Sequence, residues 1–468
     1  MAVTEQELQE IVRSVLSQMN GLRPSEQEET GIYDTTEEAI EAAARAQKEI
    51  RRTPVEFREK IISNIRKLTL ENLQTLAEMG VAETKMGNVG HKIIKHRLVA
   101  EKTPGTEDLS TIAWSGDRGL TLVEQGPFGV IGAITPSTNP SETVLCNSIG
   151  MLAAGNSVVF NPHPSAIGVS SFAVSLVNKA SIMAGGPGSI AATVKKPTLA
   201  TADVMYKSKD IPLLVATGGP GVVTAVLSTG KRAIGAGAGN PPVVVDETAD
   251  IPHAAESIIN GATLDNNLPC IAEKEVVVVD SVADELIAEM QNCGAYLLKD
   301  ADKIAKLSEM VVVPNKKGKM AVSRDWVGRD AYKFLRALGI DADPSIKCII
   351  LEAPEEHILV QTELMMPILG IVRAPNAQAA MEMGVRLEHG NRHSAHMHSK
   401  NVDHLTQFGQ MIDTAIFVKN GPSYAALGFG GEGFPTFTIA SRTGEGLTSA
   451  RTFTKSRRCV MTDALCIR

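Results

Sequence analysis

The 468-residue sequence has few aromatic residues, few cysteines and no excess of positive charge. Its six cysteines are scattered without the CxxC spacing of zinc or redox sites, which predicts free thiols. Lysines and arginines number 46 against 53 aspartates and glutamates, so the net charge of −7 gives no general attraction to nucleic acid. No apolar run approaches the roughly 20 residues of a membrane-spanning helix, and the N-terminus lacks a secretory signal. These absences predict a cytoplasmic protein that binds neither nucleic acid nor a membrane.

The composition that is present, with 43% hydrophobic and 21% charged residues, is typical of a globular protein. The length predicts two or three domains. The 40 glycines and 23 prolines follow no fixed period, which excludes collagen-like and solenoid architectures.

The first 19 residues are predicted to form an amphipathic helix. Thr4 and Glu7 have the spacing of a capping box. Apolar residues recur with helical periodicity at Leu8, Ile11, Val12, Val15, Leu16 and Met19. Residues 20–31 are polar, contain glycine and proline, and are predicted to be a flexible linker. The apolar stripe packs either on the protein's own domains and subunits or in a groove on another protein. The linker favours the second alternative, docking on another protein.

The body of the chain is predicted to be α/β, with two doubly wound domains. Residues 35–84 have helical periodicity, whereas beyond residue 120 short apolar strands alternate with helices. The strand patterns are TLVEQ (121–125), GVIGAI (129–134), SVVFN (157–161), PLLVAT (212–217), PPVVVDE (241–247), KEVVVVDS (274–281), CIILEA (348–353) and AIFVKN (415–420). This alternation predicts parallel sheets covered by helices on both faces. The domains are expected at residues 32–240 and 241–433.

Two segments do not fit this alternation. Residues 105–125 include TIAWSGDRGLTLVE (111–124), which predicts a β-hairpin around SGDRG. The C-terminal residues 434–468 include the strand-like SRRCVMT. Together these segments are predicted to form a β arm between subunits, which indicates a homodimer or a homotetramer.

Cys270 is a candidate nucleophile. It lies in TLDNNLPCIAEKEVVVV, in a loop that leads into a strongly apolar strand. A thiol there is expected to be exposed and reactive, with flanking backbone N–H groups placed to stabilise an oxyanion. The alternative is a buried structural cysteine, the common state of a free cysteine, and this is the interpretation for Cys146 and Cys348.

Two segments follow predicted strands, where α/β sheets bind ligands. Asn139 comes after GVIGAI; its amide suits an oxyanion donor, although an asparagine between two prolines also suits a plain turn. ATGGPGVVTAVLS (216–228) predicts a strand, a Gly-Gly turn and a helix start that suits a pyrophosphate, although a plain turn has the same pattern. GAGAGN (235–240) lacks the third glycine of a dinucleotide fingerprint and precedes a strand, which excludes that interpretation.

Two further candidates carry weaker signals. Glu363 precedes a proline and an apolar strand, where a carboxylate either accepts ribose hydroxyls or is a solvated loop acid. Residues 387–399 contain the histidines His389, His393, His396 and His398. No cysteine or carboxylate pattern completes a zinc-ligand spacing, and AHMHS is typical of an extended strand, so no metal site is predicted.

These motifs, in this order, resemble the aldehyde dehydrogenase superfamily from about residue 30 to residue 468. They are most similar to its CoA-acylating branch of bacterial microcompartments, the propionaldehyde and acetaldehyde dehydrogenases. The resemblance rests on ITPSTNP (134–140), AAGNSVVFNPHP (153–164), ATGG (216–219), GAGAGNPPVVVDETAD (235–250), DNNLPCIAEKEVVVV (265–279), SRDWVGRDA (323–331), TELMMPILGIVR (362–373) and FVKNGPS (417–423). It implies an NAD-binding domain at 32–240, a catalytic domain at 241–433, and a return segment with an oligomerisation strand at 434–468.

The resemblance also implies roles for particular residues. Cys270 matches the catalytic nucleophile, Asn139 the oxyanion donor, and Glu363 the acid that holds the nicotinamide ribose. The other implied cofactor-binding residues are Thr135, Pro136, Asn161, His163, Thr217, Gly218 and Gly219. The implied cofactors are NAD and, as a co-substrate, coenzyme A.

Two positions depart from the hydrolytic branch of this superfamily. The general-base glutamate of its ELGGK segment is replaced by AGAGN, with Ala236 near the glutamate position. Without a carboxylate to activate water, a thioester on Cys270 is expected to survive until the CoA thiolate attacks it. Asn161 replaces the lysine that usually binds the adenosine ribose, and no added basic residue favours a 2′-phosphate.

The resemblance therefore implies oxidation of a short-chain aldehyde, propanal or acetaldehyde, to its acyl-CoA inside a bacterial microcompartment. Residues 1–19 are similar to the short helices with which such enzymes bind shell protein. Two alternatives are a hydrolytic enzyme that releases free acid, which Ala236 disfavours, and an inactive scaffold of the same fold, which Cys270 and Asn139 disfavour.

Overall fold

The structure, a computed structural model, describes residues 25–315 and 318–467. The predicted helix over residues 1–19 lies outside the described residues, and so do residues 20–24 of the predicted linker. Most strands of the described chain belong to two parallel sheets and one three-stranded antiparallel sheet.

The last part of the predicted linker is folded. Glu26–Thr30 form a short helix that begins with a capping box between Ser25 and Glu28. The helix ends at Gly31, which has the left-handed φ of 72°. The Glu28 carbonyl accepts a hydrogen bond from the Ser189 N–H at 3.1 Å, which attaches the helix to the first domain. The prediction of a flexible linker was therefore wrong for its last residues, because the polar composition also supplies a helix cap.

The first half of the chain begins with helices and continues with alternating strands and helices. Its α-helices are α1 (Glu26–Thr30), α2 (Thr36–Ile50), α3 (Val55–Glu71), α4 (Leu73–Thr84), α5 (Val89–Lys102), α6 (Pro140–Ala153), α7 (Ile167–Ala184), α8 (Leu199–Lys207) and α9 (Pro220–Leu227). Its strands are β1 (Ile32–Tyr33), β2 (Ile112–Gly116), β3 (Gly119–Pro127), β4 (Val130–Thr135), β5 (Ser157–Pro162), β6 (Ala191–Val194), β7 (Leu213–Thr217) and β8 (Arg232–Ala236).

The first parallel sheet has the strand order β1-β6-β5-β4-β7-β8. Strands β4 and β5 are buried along their whole length because helices cover both faces of the sheet, which explains their almost continuous apolar sequence. From β4 the chain moves to β5 and β6 on one side, and it later returns to β7 and β8 on the other. The carboxyl ends of β4 and β7 therefore flank a switch point, where open α/β sheets bind ligands.

The second half of the chain forms a second parallel sheet. Its α-helices are α10 (Ile251–Thr263), α11 (Asp280–Asn292), α12 (Ala301–Val311), α13 (Ala331–Ala337), α14 (Ile358–Gln361), α15 (Ala377–Leu387) and α16 (Val402–Ile412). Its strands are β9 (Pro242–Val245), β10 (Glu275–Val279), β11 (Ala295–Leu297), β12 (Val312–Pro314), β13 (Met320–Val322), β14 (Cys348–Glu352), β15 (Ile368–Ala374), β16 (Ser394–His398), β17 (Ile416–Lys419), β18 (Ile439–Ala440), β19 (Gly446–Leu447) and β20 (Thr454–Thr462). The sheet order is β11-β14-β15-β10-β9-β16-β17. The predicted α/β class with parallel sheets is thus confirmed.

A separate antiparallel sheet contains β2, β3 and β20. Strands β2 and β3 form the predicted hairpin, and β20 pairs with β3 from Thr454 opposite Pro127 to Thr462 opposite Gly119. The sheet exposes apolar side chains, among them Trp114, which is 54% exposed. This sheet shares no strand with the two parallel sheets, as its sequence suggested.

Helix α7 is long and apolar enough to cross a membrane by length and composition, with a mean hydropathy of 1.4 over 18 residues. The sequence expectation that no segment approaches this length is therefore corrected. In the structure 56% of this segment is buried, and the helix packs against α1, α3, α4 and α6. Its apolar surface belongs to the core of the first domain.

Candidate active site

The turn after β7 lies at the switch point of the first sheet. The Thr217 hydroxyl lies 2.8 Å from the Thr438 hydroxyl, and the Gly218 N–H donates to the Ala236 carbonyl at 3.2 Å. Helix α9 begins directly after Gly219. A Cβ atom added to Gly218 or Gly219 would meet no atom within 4 Å, so the turn faces open space. The turn therefore leaves room for a pyrophosphate at the start of α9.

Thr135 and Pro136 lie at the end of β4, on the other side of the same switch point. Thr135 is buried, and its hydroxyl has no hydrogen-bond partner among the described residues. An unpaired buried hydroxyl costs about 1–3 kcal/mol, so a polar group of a bound cofactor would stabilise it. The residues around this switch point therefore fit a dinucleotide.

The fold gives Asn161 partners within the protein. Its amide carbonyl accepts a hydrogen bond from the Thr201 hydroxyl at 2.7 Å, and its amide nitrogen donates to the Thr198 carbonyl at 3.3 Å. Both partners lie at the start of α8. Asn161 thus connects β5 to α8, in addition to the cofactor contact that the resemblance implies.

His163 lies near a positive charge that the sequence did not reveal. Burial lowers the pKa of His163, and the charge of Arg324 lowers it further. Arg324 belongs to the SRDWVGRDA segment of the second domain and is exposed. The fold thus brings the charge of Arg324, from a distant segment, within reach of His163.

Asn139 lies directly before α6 and is 7% exposed. Its amide oxygen accepts a hydrogen bond from the Lys95 ammonium at 2.6 Å. Its amide nitrogen has a long contact of 3.4 Å with the Thr138 hydroxyl. Because the oxygen is occupied by a strong donor, the amide N–H group remains to donate to a ligand.

Cys270 lies in the turn before β10 and is partly exposed, whereas Cys146 and Cys348 are buried as expected. Burial of the sulfur, together with the Glu363 carboxylate, raises the pKa of the Cys270 thiol to about 12. The Lys274 ammonium opposes this shift. The thiol is therefore protonated at neutral pH, rather than the activated thiol that its loop position suggested.

Lys274 holds the turn that carries Cys270. Its side chain is 3% exposed, and its ammonium donates to the Asn267 carbonyl at 3.0 Å and to the Asn267 side-chain oxygen at 2.5 Å. Asn267 has a left-handed φ of 68°, and the two residues before it are also left-handed, with φ values of 50° and 56°. A non-glycine residue in this conformation needs support from its surroundings. The buried lysine supplies that support directly before the nucleophile.

Glu363 lies in the loop before β15 and is close enough to Cys270 and Lys274 for their charges to interact. Burial raises the pKa of Glu363 to about 7, while Lys274 and a hydrogen bond from the Gly239 N–H act in the opposite direction. Glu363 is only partly exposed, and its hydrogen bond from Gly239 distinguishes it from a freely solvated loop acid. Ala236, which the resemblance places near the position of the hydrolytic general base, is buried at the end of β8.

Replacing Glu363 by glutamine is expected to accelerate alkylation of Cys270 by iodoacetamide above pH 7. The substitution removes a negative charge that raises the pKa of the thiol, so more thiolate forms at a given pH. Below about pH 6 the native Glu363 is mostly protonated, and the two proteins should react at similar rates. The measurement is the alkylation rate against pH, with exposed Glu356→Gln as the control. Identical profiles for E363Q and the native protein would contradict this account.

The histidine-rich segment forms part of the buried second sheet. His393, His396 and His398 are buried, and burial lowers their pKa values to about 4, 3 and 4. A Cβ atom at Gly239 would lie 2.8 Å from the His393 ring, so these two residues pack directly together. No group of three or more His, Cys, Asp or Glu residues suited to a metal occurs in the described ranges. These three neutral imidazoles therefore serve packing around the site.

The sequence patterns missed the buried charges beneath the site. Lys92 and Lys95 of α5 are each at most 2% exposed, and their ammonium groups contact Asp265 and Glu142. A lysine pair three residues apart on a helix normally lies on a solvated face. Their carboxylate partners lie far away in the sequence, so no sequence signal discloses this pairing.

Residues 29–434 match the family model described as the aldehyde dehydrogenase family. The chain therefore belongs to the aldehyde dehydrogenase family, as its motifs suggested.

Within this family the chain is similar to enzymes that transfer acyl groups to CoA. It is 47% identical to acetaldehyde dehydrogenase (acetylating) EutE of Salmonella typhimurium, over 99% of both chains. It is 64% identical to a propionaldehyde dehydrogenase from the Clostridium phytofermentans fucose utilisation bacterial microcompartment, with a TM-score of 0.91 over 94% of this chain and 100% of that chain. A Rhodopseudomonas palustris propionaldehyde dehydrogenase, solved with bound CoA and an acylated cysteine, is 53% identical, with a TM-score of 0.91 and the same coverage.

Proposed function

We propose that this protein oxidises propanal or acetaldehyde to the corresponding acyl-CoA, with NAD and CoA, through a thioester on Cys270. One observation carries the proposal. Lys95 bonds both Asn139 and Asp265, so it joins the candidate oxyanion donor to the loop that presents the candidate nucleophile. The relatives that bear CoA-acylating names support the same activity.

The first half-reaction forms the thioester. The Cys270 thiol loses its proton to solvent, and its sulfur then attacks the aldehyde carbon while the carbonyl electron pair moves to the oxygen. The Asn139 amide and a backbone N–H near Cys270 stabilise the resulting oxyanion. When the oxyanion electron pair re-forms the C=O bond, the aldehydic hydrogen leaves as hydride and the thioester remains on Cys270; NAD, when bound, would supply the acceptor for that hydride. Thr135, Thr217, Gly218 and Gly219 would hold the dinucleotide, and Glu363 would hold its nicotinamide ribose.

The second half-reaction transfers the acyl group. The CoA thiolate attacks the thioester carbon, and the bond to Cys270 breaks with return of the electron pair to its sulfur. Because Ala236 takes the place of a general base, water is a poor competitor for this step. Two half-reactions separated by a covalent intermediate predict ping-pong kinetics.

The aldehyde chain length is tested by kcat/KM for acetaldehyde, propanal and butanal with NAD and CoA. The sequence contains 4% aromatic residues and a site loop of small residues, which favour a short aliphatic substrate. We expect propanal to give the highest value, with acetaldehyde close to it. A clear preference for butanal would contradict the proposed substrate class.

We also propose that the protein resides in the lumen of a bacterial microcompartment, where residues 1–19 bind a shell protein. The apolar stripe of this segment and the microcompartment origin of one solved relative support the proposal. Deletion of residues 1–20 should leave specific activity unchanged and abolish co-purification with shell protein. The full-length variant Val12→Asp, which disrupts the stripe, should behave in the same way. Loss of folding on deletion, or continued co-purification, would contradict the proposal.

The β2-β3-β20 sheet is proposed to be the contact between subunits of a homodimer or homotetramer. Its exposed apolar side chains include Trp114 and Val460, at 54% and 57% exposure. Light scattering of the native protein should give a mass of two or four subunits, and Trp114→Asp should reduce it. A monomeric native protein would contradict this proposal.

A further inference from the structure

The Lys95 ammonium makes three close contacts inside the protein. It lies on α5, is 2% exposed, and its nitrogen is 2.6 Å from the Asn139 amide oxygen. The same nitrogen is 2.5 Å from a carboxylate oxygen of Asp265 and 2.7 Å from one of Glu142. The contact with Asn139 is a hydrogen bond, and the contacts with Asp265 and Glu142 are buried ion pairs.

We infer that Lys95 is a positioning residue for the oxyanion donor, and this inference rests on the proposed role of Asn139. The two ends of an asparagine amide differ only in being an acceptor or a donor. Because an ammonium can only donate, Lys95 must face the amide oxygen, and the amide nitrogen must face the opposite side. The positive charge also polarises the amide, which strengthens its N–H group as a donor.

The same ammonium fixes the loop that carries the nucleophile. Asp265 is the second residue of the short 3₁₀ segment Leu264–Asn267 and has the left-handed φ of 50°. Its second carboxylate oxygen accepts the Asn88 N–H at 2.8 Å, at the start of α5. Gly87 leaves the space for this carboxylate, because a Cβ atom there would lie 2.1 Å from it. Lys95 therefore sets the oxyanion donor and the nucleophile loop relative to one another.

The cluster of Lys92, Lys95, Asp265 and Glu142 contains equal numbers of positive and negative charges, which stabilises the charged form of Lys95. Burial opposes the charged forms, but Lys92 and Lys95 lower the pKa values of Asp265 and Glu142. Burial acts to lower the pKa of Lys95, but the carboxylates of Asp265 and Glu142 raise it above its ordinary value. His96, which touches the same cluster, has a pKa lowered by burial and is neutral. Two ammonium groups thus face two carboxylates away from water.

Lys92 is a matched control for this role. It lies one helical turn before Lys95, is 1% exposed, and its ammonium is 3.0 Å from the same Asp265 oxygen. Its contact toward the oxyanion donor is the Thr138 carbonyl at 3.5 Å rather than the Asn139 amide. Removing either ammonium therefore removes one buried charge from the same cluster, but only Lys95 holds the amide.

The test is a double-mutant cycle in the full-length enzyme. Lys95→Met and Lys92→Met are each made alone and combined with Asn139→Ala. The readout is the rate of the NADH burst at saturating aldehyde, per alkylatable Cys270, together with Tm and the Kd of NAD. If Lys95→Met does not fold, the cycle uses Lys95→Gln, which keeps a hydrogen-bond donor at this position.

We expect Lys95→Met to slow the burst about tenfold to a hundredfold with the Kd of NAD unchanged, somewhat less than loss of the donor itself. In the Asn139→Ala background it should add little, because the amide it orients is gone. Lys92→Met should lower Tm by a similar amount, slow the burst less, and add its effect to that of Asn139→Ala. Equal burst losses for the two lysines, or additivity for Lys95, would overturn the positioning role while leaving the proposed function intact. An unchanged burst for Asn139→Ala alone would overturn both.

Discussion

Replacement of Cys270 by alanine is expected to abolish aldehyde oxidation. The sulfur forms the bond that every later step depends on, so its loss should reduce turnover by about 10⁴-fold or more. The measurement is NADH formation with saturating propanal, NAD and CoA. Binding of NAD should persist, because the switch-point residues Thr135 and Thr217 lie on the other domain.

The matched control for this substitution is Cys459→Ala. Cys459 is an exposed free thiol on β20, in the antiparallel sheet outside both parallel sheets. Its replacement should leave turnover unchanged, which shows that loss of a thiol as such is harmless. A normal NADH burst from the Cys270→Ala enzyme would exclude covalent catalysis at this residue.

Replacement of Asn139 by alanine is expected to slow acylation of the enzyme by about 10²–10³-fold, the usual effect of losing an oxyanion donor. The measurement is the pre-steady-state NADH burst at saturating aldehyde. Asn139→Asp keeps an oxygen for the Lys95 ammonium but has no N–H group, so it should be equally slow.

Alkylation of Cys270 separates this chemical effect from damage to the site. Iodoacetamide reacts with the sulfur without forming an oxyanion, so the Asn139→Ala variant should be alkylated at nearly the native rate. A burst only about threefold slower than native would mean that the amide contributes no more than an ordinary hydrogen bond.

The strands and their end residues could be predicted because each depends on local sequence. The apolar runs around Val130–Thr135 and Leu213–Thr217 indicate buried strands wherever they occur, and parallel sheets place ligand-binding residues at their carboxyl ends. The turn Gly218–Gly219 could be predicted for the same reason. Asn139 was selected from such a position and Cys270 from a loop that leads into an apolar strand, and the family resemblance then gave them roles.

The charged residues beneath the site could not be predicted, because their partners come together only in the folded protein. Lys92 contacts Asp265 across 173 residues of sequence, and neither residue alone differs from a surface charge. From the sequence alone Lys274 resembles a solvated lysine, whereas the fold buries it beside Asn267. The raised pKa of Glu363 depends on the same burial, so its chemistry was also hidden.

The central claim is that the thioester on Cys270 resists hydrolysis and is cleaved only by the thiol of CoA. The most direct test is the product formed from propanal and NAD at saturating CoA, separated into propanoyl-CoA and propanoate. We expect nearly all carbon to appear as propanoyl-CoA, and NADH formation to stop after one turnover per subunit when CoA is omitted. Propanoate as the main product in the presence of CoA, or continued turnover without it, would contradict the account.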